Sequence, residues 1–340
     1  MPVPTAETTE QTLLEAASRL SGTRIGVAGD FGADIFIYGK PGRLSREAPV
    51  PILDYEDRCT VPGMAGNVVR NLSALGAKVT CAGILGHDDA GRRVKQKLNR
   101  KKNNSDGLML AEGRHTCTKT RIMAGGNQRP KQQMVRLDRR DAEPFPADTH
   151  QRLLEAIEDT VEELDALIIS DYGLGTVGEG LIERVPRWAE ETDVVVDSRY
   201  PLKKFRGATA ATPNQGEFED CVNRKLDDEA EVADAASDLR ERLQMEALLV
   251  TRGNEGMLLS PSKNEPVSFP IVGREDVTDV TGAGDTVVAA FALACGAGAD
   301  YATAAFLATH AAAVVVTKPR TATCDNKELC QSITDAHVHR

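Results

Sequence analysis

A doubly wound α/β fold, with a mostly parallel sheet and helices on both faces, is predicted by three observations. Short apolar runs ending in polar residues recur at RIGVAGD (24–30), VTCAGILG (79–86), LDALIISDYG (164–173), DVVVDS (193–198), ATAATP (208–213) and ALLVTRG (247–253). Helical patterns lie between them: NVVRNLSALG (67–76), stopped by Gly76, THQRLLEAIEDTVEEL (149–164), EGLIERVPRWAEE (179–191) and DDEAEVADAASDLRERL (227–243). Aromatic residues make up only 4% of the 340, with one tryptophan, Trp188, which favours helices packed closely on a sheet over an aromatic-cored sandwich. Alternating strands and helices imply right-handed crossovers, hence parallel pairing.

The first twenty residues carry three acids and no basic start, so they read as an amphipathic helix rather than a signal peptide. Residues 1–23 are expected to form a helical extension and 24–335 one catalytic-sized domain, since no linker or composition shift divides them. Two stretches break the rhythm. Residues 34–60 alternate and contain three prolines, and 114–138 read as two strands around a Gly-Gly-Asn turn at 125–127. Both are expected to leave the main sheet as a small β-lid, whose uncovered edges suit pairing with a second copy as a homodimer.

A formal net charge of −10 argues against a general nucleic-acid or anionic-membrane binder, so an anionic substrate needs a local basic pocket. Seven scattered cysteines without a C-x-x-C pair suit buried thiols in a reducing compartment. No run approaches the roughly 18 apolar residues of a membrane helix. The expected location is cytoplasmic.

In open α/β sheets, ligands sit beyond the carboxyl ends of the strands, where this sequence places Asp30, Asp171, Asp197, Asn214 and Arg252. Each acid could equally cap the next helix. More specific is DVTGAGDT (279–286), which opens the apolar segment VVAAFALACGAG. Gly282, Ala283 and Gly284 leave amides bare at a helix start, where the dipole also favours an anion, and Asp285 one residue later could take a proton from an attacking hydroxyl. That pairing suits phosphoryl transfer, which asks mainly for positioning and charge stabilisation. TPNQGEF (212–218) sets Asn214 and Glu217 one turn apart at a helix start, suited to Mg²⁺-bound waters or to a capping box. A competing signal is GLGTVG (173–178), which fits the dinucleotide pattern G-x-G-x-x-G of a dehydrogenase, although Asp171 and Tyr172 intervene before the glycines. A Walker-type phosphate loop is absent from the sequence.

These stretches resemble the ribokinase-type (PfkB) sugar kinases: DVTGAGDT their signature, TPNQGEF their N-x-x-E element, VTRGNEG (250–256) their nucleotide-side turn and PGMAGNVVRNLSALG (62–76) their sugar-site motif. Within that family, EAPVPIL (47–53), TCTKTRIMA (116–124), QQMVRLD (132–138) and SDYGLG (170–175) are most similar to kinases of heptose 7-phosphate. The resemblance implies ATP as phosphoryl donor, Mg²⁺, and a monovalent cation, usually K⁺. It implies Asp285 as base, with Gly282, Ala283 and Gly284 stabilising the transferred group. It implies Asn214 and Glu217 for Mg²⁺, Thr251, Arg252, Gly253, Gly256 and His310 along the nucleotide, and Asp279 and Thr281 at the monovalent cation. Sugar contacts would fall to Asp30, Asp34, Gly63 and Asn67, with Lys119, Arg121 and Arg136 approaching from the lid. Departures from the pattern include Met64 for a second glycine, Leu174 for a lysine, Ser198-Arg199 for Pro-Lys, His310 for an asparagine and Arg320 for a glycine; they bear on which sugar is taken. An unphosphorylated sugar or a nucleoside is the alternative acceptor, and a non-catalytic sugar- or nucleotide-binding regulator the alternative class.

Overall fold

One strand serves two sheets. The computed structural model describes residues 9–99, 103–125, 131–141, 145–273 and 277–338, and in it β1 (Arg24–Leu44) is continuous over 21 residues. Its first part, 24–30, pairs in parallel with β3 (Lys78–Gly86) and with β7 (Ala166–Asp171) at the middle of the central sheet. Beyond Phe31 the same strand pairs antiparallel with β2 (Pro51–Met64) and parallel with β5 (Cys117–Ala124), which is edged by β6 (Gln132–Arg139). This second sheet is the lid expected from segments 34–60 and 114–138. Residues 126–130, with most of the expected hairpin turn, lie outside the described residues, as do 1–8.

The central sheet runs β12 (Val267–Phe269), β11 (Met257–Pro261), β10 (Ala247–Thr251), β9 (Ala210–Ala211), β8 (Asp193–Ser198), β7, β1, β3, β4 (Asn103–Ala111). It is parallel from β4 to β10, and β11 and β12 close one edge antiparallel. Alternate residues of the central strands supply separate cores: Ala166 and Ile168 of β7 belong to one, Leu167 and Ile169 to the other. The first core packs under α1 (Glu10–Arg19), α2 (Ala65–Leu75), α3 (Asp89–Leu98), α9 (Ala283–Gly296), α10 (Tyr301–Val316) and α11 (Asn326–Val338). The second packs under α4 (Ala147–Val161), α5 (Glu179–Ile182), α6 (Val185–Glu191), α7 (Gln215–Val222) and α8 (Glu229–Leu243).

Three differences from the sequence reading have physical causes. The pattern at 179–191 splits into α5 and α6, with Pro186 in the first turn of α6, where its missing N–H costs no helical bond. Helices α3, α10 and α11 were not anticipated; α10 is apolar around most of its circumference, so it carries no 3.6-residue period to read. Finally, α1 is not an appendage. Its Leu13, Ala16 and Ala17 enter the first core against α10 and α11. Among the described residues no helix is long and apolar enough to cross a membrane, and the seven cysteines carry free thiols, five of them buried.

Where β1 leaves the central sheet, an expectation is corrected. Asp30, assigned to sugar hydroxyls, is buried and saturated: its Oδ2 accepts the amides of Tyr172 and Leu174 at 2.8 and 3.0 Å, and its Oδ1 accepts that of Thr176 at 3.1 Å. Burial raises its pKa, and these donors pull it back towards the ionised form. The loop 172–176 is therefore wound around Asp30. Its amides face a carboxylate of this chain, which disposes of GLGTVG as a pyrophosphate cradle and of the dehydrogenase reading with it. Asp30→Ala strands three amides, that of Thr176 buried and those of Tyr172 and Leu174 partly so, and is expected to cost about 2–3 kcal/mol of stability in urea unfolding; a loss under about 1 kcal/mol would mean the loop stands without Asp30.

Candidate active site

Beneath the lid, at the carboxyl ends of β7, β8 and β10, lies a cleft of about 370 Å³, a volume suited to a small ligand. Its chemical centre is Asp285 in the first turn of α9. The side chain is 7% exposed, its Oδ1 accepts the Tyr172 hydroxyl at 2.6 Å, and its Oδ2 accepts the Asn67 amide at 2.8 Å. Burial raises the pKa of this carboxyl; the bonds from Tyr172 and Asn67 and the charge of Lys119 oppose the shift. Asn67 is itself fixed, because its Oδ1 accepts Arg70 Nη1 at 2.9 Å and the same nitrogen donates to the Thr321 carbonyl. Asn67, expected to hold a sugar hydroxyl, is completely buried and spends its carboxamide on Asp285 and Arg70.

The glycine-rich turn before Asp285 divides its work unevenly. Gly282 has φ 84°, and a Cβ there would lie 2.5 Å from the Asn67 amide nitrogen, so no other residue fits. Gly282 and Gly284 line the cleft, whereas the Ala283 amide turns back to the Val280 carbonyl at 3.2 Å. Ala283, expected among the anion-stabilising amides, closes the turn instead. Gly284 has open space where a side chain would stand, and first-turn amides have no intrahelical acceptor.

The lid supplies the opposite wall. Arg121 Nη1 contacts Asp34 Oδ1 at 2.6 Å, with both side chains under 10% exposed. Arg121 is thereby committed to ordering Asp34. Gly63 lets the chain approach: a Cβ would meet Asp34 Oδ2 at 2.6 Å. Arg136 also lines the cleft but forks onto Asp138 at 2.6–2.7 Å. Lys119 and Arg199 both lie over the Tyr172 ring, at 5.1 and 4.5 Å from its centroid, so two cations converge beside Asp285. Burial, then the nearby Arg199, lowers the Lys119 pKa. Read from sequence, Tyr172 is only an interruption before the glycines and Arg199 only a departure from the family pattern, neither a site residue; each directly follows a strand end, the signal that could have singled them out.

On the side of β8 and β10, Asn214 and Glu217 form the capping box: each side chain bonds the other's backbone, at 3.0 and 2.9 Å. Both still line the cleft, beside Asp197 and Thr251. Burial, then the charges of Asp285 and Glu217, holds the Asp197 carboxyl well above the usual carboxylate range. Arg252 is 8% exposed and pairs with Glu255, so it stabilises the 252–256 turn, within which Gly253 and Gly256 take positive φ. His310, expected along the nucleotide, is completely buried; it contacts Ser332 at 2.9 Å and stacks on Phe306. Phe306, not His310, reaches a groove shared with Ile271, Val272 and Val314. Thr281 lines the main cleft, and Asp279 accepts the amides of Thr281 and Arg320 at 2.9 and 3.0 Å, bracing the turn before Gly282.

Met64 precedes α2 with φ 59° and ψ −132°, a conformation normally left to glycine, and its side chain lines the cleft beside Asp34. Backbone strain of this kind costs about 1–3 kcal/mol.

A buried carboxylate at a glycine-opened helix start, with two cations beside it in a small cleft, is the arrangement expected of a phosphoryl transferase. The family model described as "pfkB family carbohydrate kinase" matches residues 41–328. The chain belongs to the pfkB family of carbohydrate kinases. A member of this family is a phosphotransferase acting on a sugar hydroxyl. Among similar proteins, the bifunctional protein HldE of Desulfatibacillum aliphaticivorans is 37% identical over 324 residues, covering 94% of this chain and 65% of that protein. The bifunctional protein HldE of Nitrobacter winogradskyi is 38% identical over 320 residues, covering 93% and 65%. The chain thus spans just under two thirds of the length of these relatives. Of solved structures, Arabidopsis thaliana ribokinase complexed with ribose and ATP superimposes with a TM-score of 0.70 at 17% identity, covering 92% of this chain and 99% of that one. Escherichia coli phosphofructokinase-2 in complex with potassium gives 0.73 at 18%, covering 93% and 99%. The pfkB fold is shared with both.

Because Asp197 titrates well above its unfolded value, the fold penalises its ionised form. That penalty is absent below the unfolded pKa and complete above the folded one. Asp197→Asn is therefore expected to melt above the parent at pH 8 without divalent metal, with the gap shrinking as the pH falls; thermal scans across pH test this, and a gap independent of pH would contradict it.

Proposed function

We propose that this pfkB kinase transfers the γ-phosphoryl group of ATP to a hydroxyl of a heptose 7-phosphate or a closely related phosphosugar. The observation that carries the transfer step is Asp285, held by Tyr172 and Asn67 at the first turn of α9, beside Gly282 and Gly284. The acceptor hydroxyl gives its proton to Asp285 as its oxygen attacks the γ-phosphorus; the bond to the bridging oxygen breaks and ADP leaves. First-turn amides of α9 would stabilise the charge on the phosphoryl oxygens.

The phosphosugar assignment is supported by the identity to the HldE proteins and by the basic wall in a chain whose net charge is −10. Since Arg121 is committed to Asp34, a substrate phosphate falls to Lys119 and Arg199. Asp197 and Glu217 offer the oxygen donors and excess negative charge that suit Mg²⁺, and Asn214 adds a neutral oxygen. Among the described residues no cluster of three or more metal-binding side chains is preformed, which fits an ion that keeps waters and shares phosphate oxygens. Thr251 and the Phe306 groove would accommodate the nucleotide. A potassium ion would act through the Asp279 and Thr281 loop, which leads straight into Gly282. A second copy would cover the lid, where Met134, Val135 and Leu137 of β6 are about half to two-thirds exposed. A cytoplasmic location suits an ATP-consuming kinase.

Asp285→Asn is expected to keep ATP binding and lose about 10²–10⁴-fold in kcat; near-parental turnover would remove Asp285 from the role of base. Lys119→Ala should raise KM for heptose 7-phosphate at least about tenfold, the worth of one charge-assisted contact. An unchanged KM would favour an unphosphorylated acceptor. Leu137→Glu should convert a dimer to a monomer in sedimentation equilibrium, whereas a parent that already sediments as a monomer would rule out pairing through the lid.

A further inference from the structure

Met64 combines three features that packing alone does not reconcile. Its backbone occupies a conformation that favours glycine, its side chain is only 5% exposed, and it belongs to neither hydrophobic core. Strain of this kind persists where the surroundings impose it or where function uses it. The thioether instead lies across the bare backbone of Gly32: a Cβ on Gly32 would meet Met64 Sδ at 2.8 Å and Cε at 3.1 Å. Gly32 pairs with Gly63 across β1 and β2, and Gly63 in turn packs on Asp34. The same short segment therefore sets a carboxylate, suited to sugar hydroxyls, next to an apolar wall that can bond none.

We propose that Met64 is a specificity-determining residue that limits the length of the acceptor sugar. An acceptor held by Asp34 ends against the thioether or presents carbon–hydrogen edges to it, and an added hydroxymethyl group there would lose its hydration without gaining a partner. The inference rests on the kinase reading and goes beyond it by naming the group that ranks acceptors.

The test is steady-state kinetics with ATP and Mg²⁺ over five-, six- and seven-carbon aldoses and their terminal phosphates, for the parent, Met64→Gly, Met64→Ala and Met64→Leu. In the two small variants, the ratio of kcat/KM for longer over shorter acceptors should rise about tenfold or more, the scale on which pockets discriminate one such group. Met64→Leu should keep the parental ranking. Melting temperatures give a readout independent of activity: glycine relieves the strained backbone and alanine does not, so Met64→Gly should melt above Met64→Ala, the reverse of their usual order. Rankings that agree across all four proteins overturn the proposal and leave the kinase reading intact, as does Met64→Ala melting at or above Met64→Gly. A parent that phosphorylates none of the sugars takes down the kinase reading, and this proposal with it.

Discussion

One carboxylate, Asp285, sits where water hardly reaches it, and distant parts of the molecule are arranged around its two oxygens. Burial pushes Asp285 towards its neutral form, and the donors on it, from Tyr172 and Asn67, come from distant parts of the chain. Tyr172 is placed by the loop that Asp30 winds around itself where β1 leaves the central sheet. Asn67 is placed by α2, whose Arg70 reaches the Thr321 carbonyl and whose Asn71 accepts the Thr286 hydroxyl. Sheet, N-terminal helix row and C-terminal loop thus converge on two oxygen atoms. The apolar α9 behind them, unable to expose any face, keeps its first turn at a fixed depth.

How far the sequence discloses this depends on whether the information is local. Strands β1, β3, β8 and β10 were legible because buried parallel strands are short apolar runs, and the turn at Gly282 was legible because helix start, glycines and acid lie within four residues. The lid was legible as a break in rhythm. Asp30 was misplaced because its partners are backbone amides some 140 residues away, which no spacing rule reaches. Asn67 and His310 were assigned by motif position, yet burial consumes one on the base and places the other behind Phe306. Arg121 carried the right charge in the right segment, but its commitment to Asp34 is a tertiary fact. Of the two alternatives for Asn214 and Glu217 the structure shows the capping box, which leaves spare oxygen lone pairs on side chains that line the cleft.

The cleft also shows how an acidic protein handles anions. With a net charge of −10, long-range attraction of phosphorylated ligands is weak, so recognition has to be local. Lys119 and Arg199 over Tyr172 provide a local positive patch in the same cleft that Asp197, Glu217 and Asp285 line. The two signs meet within one cavity.

The continuity of β1 has a mechanical consequence. A strand that is built into the middle of two sheets has, at the junction between them, Asp30 and Phe31 with a ladder partner on one side only. A tilt of one sheet against the other would concentrate there or spread as a change of twist along β1, as in a leaf spring rather than a door. The stiffness of that spring is set by the ladders themselves, so the energy of opening is stored in the same hydrogen bonds that hold the fold together.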